Sequence, residues 1–389
     1  MAPRILLDAT AVPADRGGLG RYVDGLLSAL HGLGADLAVV CQRADEERYG
    51  TLAPGARIVA GPAALAHRAA RLSWEQSGLP YVAEQVGADV IHLPTYTIPV
   101  APGLPTVVTI HDVTLFTEPE LYDPVRTTYV KSATRTAARR ATRLIAPSRA
   151  TRDELVRLLG ADPEHIDVAY HGVDHQAFHR PDEPEIKRVS DRLGLHGRPY
   201  LAYLGALEPR KNVPALIRGW VRACAERADP PALVLAGAGG WDDDVDAALA
   251  SVPVQLRVVR PGYLSWESLP GLFGGALVVA LPSRGEGFGL PVLEAMACGA
   301  PVLTTRRGPL PEVGGDAVAY TEPEPEHIAA ALSALIDDPA ARRRLGDAAC
   351  VRSQQFSWTV SAEAHLASYE RAVGQYATAH QNGPAPHAH

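Results

Sequence analysis

Residues 282–302 read PSRGEGFGLPVLEAMACGAPV and hold two glutamates, Glu286 and Glu294, the first among alternating glycines and the second where a helical pattern begins. The apolar run ALVVALPS before them reads as a strand, and Pro291 suits the first turn of a helix. Gly285, Gly287 and Gly289 allow unusual backbone angles and close approach. A glycine loop closing on a helix start is an anion cradle, because the free amides of the first turn point at the ligand. Yet the loop has no lysine, and Glu286 would repel a phosphate placed directly beside it. An ionised carboxylate only accepts hydrogen bonds, whereas a vicinal diol offers two donors. A nucleotide sugar, with a diphosphate between two rings, would use both amides and carboxylates. The competing reading is a loop charge at Glu286 and an ordinary helical glutamate at Glu294.

Four further stretches carry candidate chemistry. YLGALEPRKN sets Arg210 beside Lys211, a guanidinium fork and an ammonium suited to a diphosphate and to the charge of a departing nucleoside diphosphate; a solvated basic turn would look the same. DRGGLGRY offers amides at Gly17 and Gly18 ahead of a helical segment, or only a tight turn; Val23 breaks the GxGxxG dinucleotide fingerprint. TVVTIHD ends a strand at His111, able to meet a sugar hydroxyl or to be satisfied by its own loop. In HGVDHQAFH, His171, His175 and His179 recur every fourth residue, but Gly172 after a strand argues against the helix that a metal site would need.

These loops need strands to carry them. RILLDA, DLAVVC, DVIHLP, TVVTIHD, RLIAPS and IDVAYHG alternate with helical segments, and after a polar, proline-containing connection the pattern resumes with PYLAYLGAL, PALVLAGAGG, QLRVVRPG, ALVVALPS, PVLTT and AVAYTEP. Such alternation predicts an α/β protein with two doubly wound parallel sheets, whose ligands sit beyond the carboxyl ends of the strands. The expected division is a first domain over 1–180, a second over 181–357, a helix of about 358–376 crossing back onto the first, and a disordered tail from 377 to 389, which has no pattern to bury.

At 389 residues, two domains are the default. A formal charge of −7 gives no sign of a nucleic-acid partner. Four cysteines without paired spacing fit neither a disulfide framework nor a zinc knuckle, and no apolar run approaches the ~18 residues of a membrane span. The expected setting is the cytoplasm. One basic stripe stands out: Lys131, Arg135, Arg139 and Arg143 repeat every four residues, so on one helix they share a face that either docks on anionic lipid at the membrane or is simply solvated.

Taken together, GGLGRY, HDVTLF, PSRATRDEL, HGVD, YLGALEPRKN, AGAGGWDDD and the Glu286–Glu294 spacing resemble the retaining glycosyltransferases of family 4. The resemblance implies the GT-B fold, with two Rossmann-like domains and an active-site cleft between them. It implies that Glu286 contacts the donor sugar, Glu294 the ribose diol, and Arg210 with Lys211 the diphosphate. The backbone of Phe288, Gly289 and Leu290 would also face the donor, His111 the sugar, Gly17 and Gly18 the phosphates, and Tyr263 with Leu264 the base. It also implies a front-face transfer without cofactor or metal, the leaving phosphate taking the acceptor's proton. Family members often carry asparagine where this chain has His171. The texture is closest to the mannosyltransferase-like branch of polysaccharide biosynthesis, so the expected donor is GDP-mannose and the acceptor a glycan or glycolipid. A UDP- or dTDP-sugar donor (GlcNAc, glucose or a deoxysugar), with a polysaccharide or small aglycone as acceptor, is the alternative. In another class stands a nucleotide-sugar-binding protein without turnover.

Overall fold

The computed structural model describes residues 2–381. It divides into two units: one built from the chain up to Gly172 and again from Trp358 onward, the other from Val173–Ser357.

The first unit is a parallel sheet of β1 (Ile5–Asp8), β2 (Leu37–Cys41), β3 (Arg57–Ala60), β4 (Val90–Leu93), β5 (Thr106–Thr109), β6 (Arg143–Ala146) and β7 (Ile166–Val168), in the order β3-β2-β1-β4-β5-β6-β7. Its inner strands β1, β2, β4, β5 and β6 are buried throughout and largely apolar because both faces are covered, whereas the edge strand β3 is partly exposed. Ile5, Leu7, Val39 and Val107 enter one core, while Leu6, Val40, Ile91 and Val108 enter the other. The first core is closed by helix α1 (Gly17–Gly32), through Tyr22, Val23, Leu26, Leu27 and Leu30, and by the helix Trp358–Gln381. At their crossing Gly25 admits the indole of Trp358, since a Cβ there would lie 2.2 Å from the ring.

The second unit has β8 (Tyr200–Leu204), β9 (Ala232–Ala236), β10 (Val258–Gly262), β11 (Val278–Leu281), β12 (Val302–Thr305) and β13 (Ala319–Thr321), parallel in the order β10-β9-β8-β11-β12-β13. The order reverses at β8, which pairs with β9 on one side and β11 on the other. The loops leaving β8 and β11 are therefore neighbours at a topological switch point, although some seventy residues separate them in sequence.

Three expectations are corrected. The units part at Gly172–Val173 rather than at 180–181. Residues 173–180 pack into the second unit: Val173 N donates to Phe356 O (3.2 Å), Phe178 lies edge-on to Trp266, and Arg180 pairs with Asp347. The last helix continues to Gln381, so 377–381 are helical; the rest of the expected tail, 382–389, lies outside the described residues. Arg143 does not share the helical face of Lys131, Arg135 and Arg139, because their helix stops at Arg140. Arg143 instead opens β6, buried, and forks onto Asp167 at 2.6 and 2.8 Å.

Candidate functional site

In the second unit the sequence after β8, Glu208-Pro209-Arg210-Lys211, makes a tight 3-10 turn (Pro209–Lys211) and ends at Asn212, whose φ of 60° lies in the left-handed region. Asn212 tolerates that conformation, and its amide donates to Pro282 O at 3.2 Å and to Pro323 O at 2.7 Å. Arg284 N donates to Arg210 O at 2.8 Å, and Arg210 Nη1 to Gly285 O at 3.3 Å. The loops after β8 and β11 are thus sewn together by backbone and side-chain bonds alike.

That sewing assembles a buried ion cluster. Lys211 Nζ lies 2.5 Å from Glu286 Oε1, and Ser283 Oγ donates to the same oxygen at 2.7 Å. Arg210 Nη1 reaches Glu286 Oε2 at 3.0 Å, while its Nε reaches Glu208 Oε2 at 2.7 Å. Burial opposes ionisation of Glu286, but Lys211, Arg210 and the two hydrogen bonds outweigh it and bring the carboxyl down to about 2. Burial and the neighbouring Arg210 charge lower the Lys211 ammonium, with Glu286 acting against them.

The β11 loop then turns through Gly289, whose φ of 96° favours glycine and which caps the helix Leu290–Ala297. Phe288 and Leu290 are buried, Phe288 edge-on to Phe356, and Glu294 is buried one turn into the helix. Tyr263 and Leu264 follow β10; Tyr263 is exposed and Leu264 buried.

In the first unit, His111 follows β5, and its Nε2 lies 3.0 Å from Pro94 O. A carbonyl only accepts, so Nε2 carries the proton and the neutral ring keeps its lone pair on Nδ1. Burial pulls the imidazolium below its usual range and favours that neutral form. Gly17 and Gly18 open α1 with open space where their side chains would be. Arg16, left-handed at φ 61°, anchors this loop through Asp24, Asp45 at 2.6 Å and Tyr49 at 3.2 Å.

Sequence reasoning missed the aromatic and imidazole cluster around His111. Tyr22 packs edge-on against it (ring centroids 4.7 Å apart), and His171 lies 5.5 Å from it and stacks on Trp358. Tyr22 Oη meets Thr109 Oγ1 at 2.8 Å and His365 Nε2 at 2.7 Å, and Tyr369 Oη meets His92 Nδ1 at 2.8 Å. His365 Nδ1 donates to Ser361 O, so its Nε2 receives the Tyr22 proton. The signal available was a histidine inside the apolar strand run DVIHLP. The other histidines of HGVDHQAFH go elsewhere, His179 to Glu185 and His175 to Gln354. Among the described residues no group of three or more His, Cys, Asp or Glu is placed to hold a metal ion, and no helix is long and apolar enough to cross a membrane.

Two parallel α/β units with cations and a carboxylate gathered at the switch point define the setting in which the comparisons with known proteins fall. The family described as "Glycosyl transferases group 1" matches residues 186–351, and "Glycosyltransferase Family 4" matches residues 16–177. The chain belongs to the family 4 glycosyltransferases. It is 32% identical over 254 residues to the O-antigen chain mannosyltransferase B of Escherichia coli, covering 65% of this chain and 66% of that protein. It is 36% identical over 248 residues to a D-inositol 3-phosphate glycosyltransferase of Arthrobacter, covering 62% and 58%. The match thus spans less than two thirds of these relatives' length. Among solved structures, the Anabaena HepE protein in complex with UDP-glucose gives a TM-score of 0.74 at 20% identity over 94% of this chain and 98% of that one. WaaG, a glycosyltransferase involved in lipopolysaccharide biosynthesis, gives 0.72 at 17% over 93% and 98%. These likenesses establish the fold, GT-B.

Proposed function

We propose that the protein is a retaining glycosyltransferase that takes a hexosyl group from a nucleotide sugar and places it on a hydroxyl of a glycan or glycolipid. The observation that carries this reading is the Glu286 carboxylate held between Lys211 Nζ and Arg210 Nη1 beside a glycine turn into a helix. Arg210 and Lys211 offer two positive charges to a diphosphate, and Glu286 offers acceptor oxygens to sugar hydroxyls within the same loop pair. Glu294 is assigned the ribose diol, the backbone of Phe288, Gly289 and Leu290 the donor, and Tyr263 with Leu264 the base. In the first unit the Nδ1 lone pair of His111 suits a hydroxyl donor, and Gly17 and Gly18 supply amides suited to phosphate.

The transfer is front-face: the acceptor hydroxyl attacks as the carbon–phosphate-oxygen bond breaks, and the leaving diphosphate takes the proton. Arg210 and Lys211 stabilise the charge that builds on that leaving group, the task a divalent ion performs in other transferases, so no metal or cofactor is assigned. GDP-mannose is the first donor to test, in keeping with the Escherichia coli relative's name; a UDP-sugar is the second, in keeping with the ligand of the HepE structure. Exposed Arg135, Arg139 and Arg140, with exposed Val125 on the same helix, fit peripheral contact with an anionic inner membrane face; Lys131 and Arg135 also lie over the Phe116 ring.

The test is calorimetric titration in EDTA with GDP-mannose, UDP-GlcNAc, UDP-glucose and a dTDP-sugar, on the parent and on Glu294→Gln. Saturable binding of one donor, weakened by the substitution, is the expected result. Binding of none would remove the reading.

A further inference from the structure

Arg210 has two carboxylate partners, and the second of them, Glu208, plays no part in the reading above. Glu208 sits two residues before Arg210, and both side chains are largely enclosed, 16% and 20% exposed. A carboxylate beside cations that are to receive a diphosphate opposes that binding, so its presence asks for a reason. The turn does not need it for its shape. Glu208 N donates to Ala206 O (2.9 Å), Lys211 N to Glu208 O (2.9 Å) and Asn212 N to Pro209 O (3.1 Å), all by backbone. Tyr203 Oη holds Ala206 O at 3.0 Å, and Asp242 N holds Leu207 O at 3.1 Å.

What the Glu208 side chain does is grip Nε, the edge of the guanidinium that fixes its plane, while Glu286 meets Nη1. The directly paired charges are then two cations, Arg210 and Lys211, and two carboxylates, Glu208 and Glu286. They cancel. A nucleoside diphosphate released by transfer carries more negative charge than the sugar-bearing donor, and a cluster without surplus positive charge holds it less firmly than one with a charge in excess.

We propose that Glu208 is a positioning residue that orients the Arg210 guanidinium and lowers the affinity of the site for nucleoside diphosphate, so that product leaves. The inference rests on the nucleotide-sugar reading of the site.

Two variants separate the roles. Glu208→Gln keeps an oxygen that accepts from Nε and removes the charge; Glu208→Ala removes both. GDP, UDP and inorganic pyrophosphate are titrated calorimetrically into parent and variants, with kcat, KM for the donor and product inhibition measured beside thermal midpoints. Glu208→Gln is expected to bind the diphosphate roughly tenfold more tightly, the effect of one charge in a site of intermediate dielectric. Product inhibition should strengthen in step, and the gain should shrink with added salt. Glu208→Ala is expected to lose kcat about tenfold beyond the glutamine variant, and Glu208→Asp to recover less than Gln does. A diphosphate affinity in Glu208→Gln that is equal to or weaker than the parent's overturns the proposal, as does a pattern in which both variants move only the thermal midpoint. A parent that binds neither nucleotide nor pyrophosphate overturns the nucleotide-sugar reading and this inference with it. A parent that binds while the variants do not differ overturns this inference alone.

Discussion

Replacing Glu286 by glutamine keeps the side chain's volume and removes its charge. In the structure that carboxylate receives Lys211 Nζ, Ser283 Oγ and Arg210 Nη1, and it is 10% exposed. A glutamine supplies one oxygen and turns two N–H donors toward groups that are themselves donors. The size of the loss follows from the carboxyl's own equilibrium. A drop from the ordinary 4.5 to about 2, at ~1.36 kcal/mol per pH unit, corresponds to about 3 kcal/mol favouring the charged, folded arrangement. The sign is that of a depressed acid: the contribution is complete above pH 4.5 and is lost as pH falls through about 2. For a unit the size of residues 173–357, about 3 kcal/mol is a fall in thermal midpoint of roughly 6–12 °C. The assay is scanning calorimetry of parent and Glu286→Gln at pH 7 in low salt, with and without inorganic pyrophosphate. The variant should melt lower without pyrophosphate and regain more than the parent when it is added, because the anion replaces the missing counter-charge. A variant midpoint within ~2 °C of the parent, or equal stabilisation of the two by pyrophosphate, would refute the view that Glu286 is the counter-ion of these cations.

Arg210→Ala should lower kcat by about 10²–10³-fold while changing the donor's KM far less, since charge develops on the leaving group in the transition state; steady-state kinetics with an unchanged kcat would exclude that role. Burial lowers the pKa of His92, His171 and His365, the last to about 4, so these rings stay neutral in the fold while an unfolded chain protonates near 6.5. Each ring should therefore lower stability below pH 6.5 by ~1.4 kcal/mol per pH unit, His365 until about pH 4, while the buried Glu75 carboxyl, raised to about 7, offsets one such ring between about pH 7 and 4.5; a thermal midpoint flat from pH 7 to 5 would contradict this. Arg135→Gln, Arg139→Gln and Arg140→Gln together should reduce sedimentation with vesicles rich in anionic lipid, and unchanged sedimentation would mean that the exposed basic face is only solvated.

Much of the scaffold was legible because parallel strands covered on both faces write themselves as continuous apolar runs, and β1, β4, β5, β8 and β11 each match one. Glu286, Arg210 and Lys211 stood out because ionisable residues beside glycine and proline after such runs must lie at strand ends, and the β8–β11 pairing brings them together. Glu208 and Ser283 lie inside the same motifs, yet their bonds to Arg210 and Glu286 are not legible there, since a side chain's partner is not encoded in its spacing. Arg143 departs from the four-residue repeat because the helix ends at Arg140 and the strand run RLIA begins at Arg143 itself, so one residue carries two conflicting signals. The Tyr22–His365 and His92–Tyr369 bonds were invisible for a simpler reason: they join residues hundreds of positions apart.

Those long-range bonds also set an order of events during synthesis. Gly25 is shaped around the Trp358 indole, and Tyr22 and His92 have their partners on the helix that begins at Trp358. The intervening unit is contiguous in sequence, so all of its residues are made before the helix that completes the first unit. In the first unit the strands emerge early, but the imidazoles and the apolar groove wait for residues 358–369. A chain that stops before residue 358 leaves Tyr22 and His92 without these partners and Gly25 without the indole it is shaped around. The returning helix thus makes the integrity of the first unit depend on residues made only after the whole of the second.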